Sequence, residues 1–338
     1  MLSPLKRLLR WTGRLLKRFG MKMLGEIDTP PSQSAGFTAT ASDIFRNDRL
    51  TIGFWNVHKN VKTAPVIAQL ASTLQDENGR RNDVLLGLSE IDKLDLAAIL
   101  KEIKKLTGDN SWYVHQPPSK KFACFSNVPV LNNLGEAALG WPVIINLHDL
   151  NAPSPVRCAV WFIHMRAPMM TFSPQNVTLA DALHLHNSII DLEGSEQLGA
   201  SIAIGDFNAD PYSDAMLGPD YLNAVMCRKV ACKGKRVIHK GTPCARIRPY
   251  FYNPMWASLG DQSISNQPGS FYNEHDAGNS NAWHLIDQVL LRPSLIHRIV
   301  SGSARVLTVS GKTCLLNAAG KIDKSISDHL PVVISLNK

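Results

Sequence analysis

The chain has 338 residues, 44% of them hydrophobic, which suits one large α/β domain or two medium ones with a sizeable core. Six Cys and no secretory-type leader point to reduced thiols inside a cell rather than a disulfide framework, and no apolar run reaches the roughly eighteen residues of a membrane span. The net charge of +8 suggests a nucleic-acid partner until it is divided along the chain: residues 1–25 hold seven Lys or Arg and no acid, so 29 basic and 28 acidic residues remain elsewhere.

Residues 1–25 form a basic amphipathic helix on a helical wheel, with Leu5, Leu8, Leu9, Leu15, Leu16, Phe19 and Met23 on one face and Lys6, Arg7, Arg10, Arg14, Lys17 and Arg18 on the other. Such a helix can lie on an anionic membrane, dock in a partner groove or serve as a transit sequence. Residues 26–46, rich in Thr, Ser, Pro and Ala, read as a linker, leaving 47–338 as the main domain. There, strand-like runs at 50–57, 83–91, 157–165, 201–207, 284–291 and 330–336 alternate with helical patterns at 62–77, 92–107 and 176–198. The alternation predicts an α/β domain built on packed sheets. A basic segment, 228–248, carries eight Lys or Arg and no acid, inside an insertion spanning about 227–283.

Polar residues cluster at the C-terminal ends of the strand-like runs: Asn56, Glu90, His164, Asp206 with Asn208, Asp287, and Asp328 with His329. Any one of them alone reads as an Asx turn, a helix cap or a satisfied histidine. Together they are hard carboxylate and amide oxygens without paired thiols, which suit Mg²⁺ or Mn²⁺, accompanied by two His able to carry protons. That inventory matches metal-assisted phosphoester hydrolysis.

The ordered set WNV, LSE, FIH, GDFNADP, IDQV and SDHLPV resembles the endonuclease/exonuclease/phosphatase superfamily over about residues 48–338. The resemblance implies a DNase I-like four-layer α/β/β/α sandwich, two facing mixed sheets flanked by helices, with the site at one end of the sheets. It also implies roles. Glu90 is the main metal ligand, with Asn56 and Asp328 beside it. Asp206 orients or deprotonates the attacking water, Asn208 holds a phosphate oxygen, Asp287 pairs with His329, and His164 donates a proton to the leaving oxygen. Gly205 is expected to let the chain turn sharply beneath the phosphate, and Asp210 and Pro211 are given no chemical role. His58 stands where AP endonucleases carry Asp, against a second metal site of that type, and His164 is similar to the DNase I, deadenylase and phosphatase branches.

The expected function is a Mg²⁺-dependent nuclease acting on DNA or RNA, in the cytoplasm of a bacterium or, for a eukaryotic source, in mitochondria. The alternatives are a membrane-peripheral phosphatase or phosphodiesterase for a lipid or inositol headgroup, and a catalytically idle binding module. Expected substrate contacts are Lys120 and Lys121 beside the cleft, and Arg246, Arg248, Tyr250, Tyr252 and Trp256 in the insertion, where basic and aromatic residues interleave as nucleic acid requires. The same residues also suit an insertion with its own small core. Cys227, Cys232, Cys244 and His239 lack the paired spacing of a zinc site.

Overall fold

The computed structural model describes residues 47–338 apart from 78, 131, 136, 138, 149–154, 168–173, 244, 261–266 and 275–280, so the basic segment 1–25 and the linker lie outside the described residues. Two strand–helix–strand units organise it. In the first, β1 (Arg49–Asn56) is followed by α1 (Ala64–Gln75) and returns as β2 (Asp83–Ser89), parallel to β1 with Asn56 opposite Ser89. Next come α2 (Leu96–Thr107), β3 (Tyr113–His115), β4 (Phe122–Ser126), β5 (Asn132–Asn133) and β6 (Gly140–Leu147). The second unit runs from β7 (Val156–His164) through α3 (Pro174–Ser195) to β8 (Ala200–Asp206), again parallel, with His164 opposite Asp206. The helices are needed because a parallel return requires a long crossover.

Later in the chain the two large sheets gain β9 (Ala224–Val225), β10 (Phe251–Tyr252), β13 (Asp287–Leu291), β14 (Arg305–Val306) and β15 (Val332–Asn337), and β11 and β12 (Phe271–Tyr272 and Trp283–His284) form one of several small two-stranded hairpins. One sheet has the order β14-β15-β1-β2-β4-β3, the other β9-β10-β13-β8-β7-β6-β5, and both are mixed. Among the described residues, two strands of five residues or more escape the sequence reading, along with several shorter ones. Phe122–Ser126 directly follows Lys120 and Lys121, the expected cleft contacts, and Gly140–Leu147 contains Pro142, a residue that ordinarily argues against a strand.

Side-chain parity sets the layers. Phe54 of β1 stacks on Phe162 of β7 at 6.5 Å, so these positions face the space between the sheets. Gly87 of β2 makes room for the Phe162 ring, since a Cβ there would lie 2.1 Å from it. On the outer faces, Val66, Ile67 and Leu70 of α1 and Ile99 and Ile103 of α2 cover the first sheet, while Ala182, Leu185 and Ile189 of α3 pack with Trp161, Ile163 and Ala203 of the second. The result is four layers, helix, sheet, sheet, helix. Asp95 caps α2 by accepting from Ala98 N at 3.0 Å, and Gly108 ends it in a left-handed conformation. Among the described residues the cysteines are free thiols, and no helix is long and apolar enough to cross a membrane.

Candidate active site

Alternation along each strand fixes where the polar residues point. Asn56 is two residues past Phe54, His164 two past Phe162 and Asp206 two past Ile204, so all three share the inter-sheet face of their apolar predecessors. Asp287 precedes Val289 and Leu291 on the same face. The antiparallel registers do the rest. Asp287 opens β13 opposite Asp206, and Asp328 and His329 come just before β15, whose Val332 pairs with Phe54. Parallel strands thus supply residues from their C-terminal ends and antiparallel strands from their beginnings. The sequence reading placed all of them at strand ends, and Asp287 and His329 correct it.

At that edge Asn56 Nδ2 donates to Asp206 Oδ2 at 3.2 Å and to Glu90 Oε1 at 3.4 Å. His329 Nδ1 lies 2.8 Å from Asp287 Oδ2, which also accepts from Ser270 Oγ at 2.7 Å. The other ring nitrogen, Nε2, is 3.9 Å from Asp206 Oδ2 and 4.0 Å from Asp328 Oδ1. His164 Nε2 sits 3.4 Å from Glu90 Oε1 and 3.8 Å from Asp206 Oδ2. Asn208 N donates to Asp206 Oδ1 at 2.8 Å, and its amide reaches Met165 O at 2.7 Å. All eight residues read as catalytic or metal-binding therefore gather at one edge. Trp55 Nε1 to His329 O and Ser327 Oγ to Asn56 O, both at 2.8 Å, lock the Asp328–His329 segment to β1.

Electrostatics follow from burial. Asp206 is 1% exposed, and desolvation pushes its carboxyl up to about 7 against the opposing pull of His329. Burial alone would lower His329, but the carboxylates of Asp287 and Asp206 outweigh it and raise the imidazole to about 10. Burial lowers His164. Glu90 has a left-handed backbone (φ 56°), which costs a non-glycine residue about 1 kcal/mol and turns its carboxylate back toward the edge.

Two sets of groups are candidates to hold a cation. Asp206, Asp287 and His329 offer ligand atoms within 4.8 Å of one another. Asn56, Glu90 and Asp328 form the second, around His58, whose Nδ1 is 3.4 Å from Asp328 Oδ2 and 3.8 Å from Glu90 Oε2. The buried Asp287 Oδ1 and Asp328 Oδ1 lack hydrogen-bond partners among the described residues, as oxygens meant for a ligand would. The donor chemistry and these orphaned oxygens fit a hard divalent ion.

The expected substrate contacts divide. Phe122 pairs with Ser89, which brings the exposed Lys120 and Lys121 to the site edge, and the charge of Lys121 acts on His164. The insertion residues are not brought there. Tyr252 pairs with Leu291, at the end of β13 remote from Asp287, about 13 Å away along a strand. Tyr250 and Tyr252 are 8% exposed, Arg246 and Arg248 pair with Asp220 at 3.4 and 3.2 Å, and Tyr252 OH accepts from Arg228 Nε. Trp256 lies in the short helical turn Pro254–Ser258 that follows β10, with its Nε1 buried. Tyr252 packs into the main core between the sheets rather than into a small core of the insertion.

Gly205 also has a different reason than expected. It lies inside β8, where a Cβ would meet Ile163 O of β7 at 2.2 Å, so it permits close strand approach rather than a turn. Sequence reasoning missed Ser270, which bridges to Asp287, and Asp210, which accepts from Leu285 N at 2.9 Å and lies 3.0 Å from His284 Nδ1. Gly269 beside Ser270 permits the close approach of this segment to β12, since a Cβ there would meet His284 O at 2.4 Å.

No protein-family model matches the chain, and no curated protein matches it. Among solved structures it is similar to an endonuclease/exonuclease/phosphatase family protein from Bacteroides thetaiotaomicron at 14% identity, covering 86% of this chain and 98% of that one, with a TM-score of 0.47. It is similar to the human Nocturnin catalytic domain at 14% identity, covering 87% and 96%, TM-score 0.44. It is also similar to the 3′ phosphatase NExo from Neisseria at 15% identity, covering 85% and 99%, TM-score 0.47. The four-layer fold rests on the strand registers and packing described above, and these neighbours include proteins of the endonuclease/exonuclease/phosphatase family.

Proposed function

We propose that the chain is a divalent-metal-dependent phosphoester hydrolase of the endonuclease/exonuclease/phosphatase superfamily, cleaving phosphodiesters, and specifically a Mg²⁺-dependent nuclease. The observation that carries this reading is the buried convergence of Asn56, Asp206, Asp287 and His329, with Glu90, His164 and Asp328 at the same edge.

Glu90, Asn56 and Asp328 would hold the ion in this reading, while Asp287 Oδ2, engaged with His329 Nδ1 and Ser270 Oγ, orients the imidazole. When bound, the ion supplies Lewis-acid stabilisation of the phosphoryl oxygens. Asp206, held by Asn56 and by the Asn208 backbone, accepts the proton of the attacking water. As the water oxygen bonds to phosphorus, Asn208 and the Nε2 side of His329 face the growing charge, and Asp287 keeps the imidazole in place. The ester P–O bond breaks on the side of His164, which supplies a proton to the leaving oxygen.

Mn²⁺ titration followed by electron paramagnetic resonance tests the ligand assignment independently of turnover. Glu90→Gln is expected to weaken binding about tenfold or more, as loss of a charged ligand does. Asp287→Asn is expected to change it by less than about threefold while lowering hydrolysis about 10³-fold. Equal weakening by both variants would place the ion at the Asp206, Asp287 and His329 cluster instead.

A further inference from the structure

Between β9 and β10 the chain makes a two-stranded hairpin, Lys235–Ile238 against Arg246–Pro249, that joins neither large sheet. Its register puts Val237 opposite Ile247 and Lys235 opposite Pro249, with Arg236 opposite Arg248 and Ile238 opposite Arg246. Alternation therefore separates two faces. Arg246 and Arg248 turn one of them toward Asp220, their partner at 3.4 and 3.2 Å. On the other, Val237 is 43% exposed and Ile247 58%, and among the described residues neither belongs to a buried core. A cross-strand pair of β-branched side chains ordinarily lies on a covered face of a sheet. This pair is turned to solvent.

Its surroundings are basic. Besides Arg228, Arg246 and Arg248, whose contacts are given above, residues 228–248 hold Lys229, Lys233, Lys235, Arg236 and Lys240, all exposed and without a carboxylate partner among the described residues. Charge alone does not choose between anionic partners, but the apolar pair does. Aliphatic groups ringed by long basic side chains suit the surface of an anionic bilayer, where methyl groups enter the headgroup–acyl boundary and Lys and Arg reach lipid phosphates. A nucleic acid asks instead for aromatic faces among the charges, and residues 228–248 contain no Phe, Tyr or Trp. The hairpin also stands clear of the candidate active site. Tyr252 pairs with Leu291, at the end of β13 remote from Asp287, and the antiparallel direction of β10 carries the residues before Tyr252 farther away still.

We propose that the outward face of this hairpin docks on an anionic phospholipid surface. Val237 and Ile247 enter the boundary region, and Lys233, Lys235 and their basic neighbours engage the phosphates. The contact is peripheral, leaves the catalytic edge uncovered, and does not depend on which phosphoester that edge cleaves.

The test uses the full chain with vesicles of phosphatidylcholine, with and without phosphatidylglycerol. Flotation measures the partition coefficient, and hydrogen exchange locates the contact. Binding is expected only to the vesicles that hold phosphatidylglycerol, with slowed amide exchange across residues 235–248. Val237→Ser with Ile247→Ser is expected to lower the partition coefficient about tenfold or more, the scale of two aliphatic side chains withdrawn from an apolar medium. Lys233→Gln with Lys235→Gln is expected to lower it about tenfold as well, through two charges lost at an anionic surface. A wild-type urea midpoint for each double variant shows that folding is intact. No binding to phosphatidylglycerol vesicles, equal binding to both kinds, protection confined to residues 1–25, or an unchanged partition coefficient in either double variant overturns the proposal. So does slowed exchange across the hairpin with duplex DNA and none with vesicles, which assigns the face to nucleic acid.

Discussion

Gly205 and Asp206 are neighbours that answer to different demands. Asp206 faces the space between the sheets, where Asn56 and the Asn208 backbone hold both its oxygens. Gly205 faces the other way, against the backbone of Ile163, where a methyl group finds no room. Gly205→Ala must therefore push apart the parallel pair β7 and β8 that carries His164 and Asp206. We expect a loss of at least about 3 kcal/mol in urea unfolding, the upper range for forced overpacking. A variant within about 0.5 kcal/mol of wild type would show that the strands do not approach as closely as described. The residue types at the site were legible from sequence because carboxylate, amide and imidazole at strand boundaries are uncommon as a set. Ser270 and Asp210 were not, because a hydroxyl or a carboxylate in a turn looks the same whether it caps a loop or buttresses a neighbour across some tens of residues.

α3 crosses the outer face of the second sheet with an inward histidine, His186, that is fully buried and has no hydrogen-bond partner for either ring nitrogen among the described residues. Burial pushes its pKa down to about 4, aided by the positive charges of Arg292 and Arg248 and opposed by Glu193 and Asp220. Since the folded value lies below the ordinary 6.5, the unfolded chain binds the proton more readily between those values. Stability is full above pH 6.5 and falls as pH drops toward 4, by up to about 3 kcal/mol. Urea midpoints between pH 7 and 4 should fall less steeply for His186→Phe than for wild type, and parallel curves would contradict a buried neutral ring. At this scale the sequence predicted three helices and six strands near their observed places, since their periodicity is strong. It missed β6, where Pro142 signals a breaker but occupies a strand near the sheet edge. It also read the insertion's aromatics by composition, which does not reveal that Tyr252 pairs with the far end of β13.

For the molecule as a whole, charge by itself is a poor guide to partners. Residues 228–248 carry eight basic residues, yet Arg246 and Arg248 are paired with Asp220 and Arg228 lies over Tyr252 at 5.7 Å. The chemistry instead collects where two strand–helix–strand units, each with one parallel pair, present the same edge to each other. That edge brings Asn56 and Glu90 from one sheet against His164, Asp206 and Asp287 from the other, with Asp328 and His329 closing the gap. The central claim is that this edge hydrolyses phosphoesters with a divalent ion. The most direct measurement is product release from plasmid DNA, RNA and small phosphodiesters by the full chain, with Mg²⁺, Mn²⁺ or EDTA, beside Asp206→Asn. Cleavage of at least one substrate with Mg²⁺ or Mn²⁺, lost in EDTA and reduced about 10³-fold in the variant, is the predicted result. Failure to cleave any of them, or cleavage that persists in EDTA or in Asp206→Asn, would contradict it.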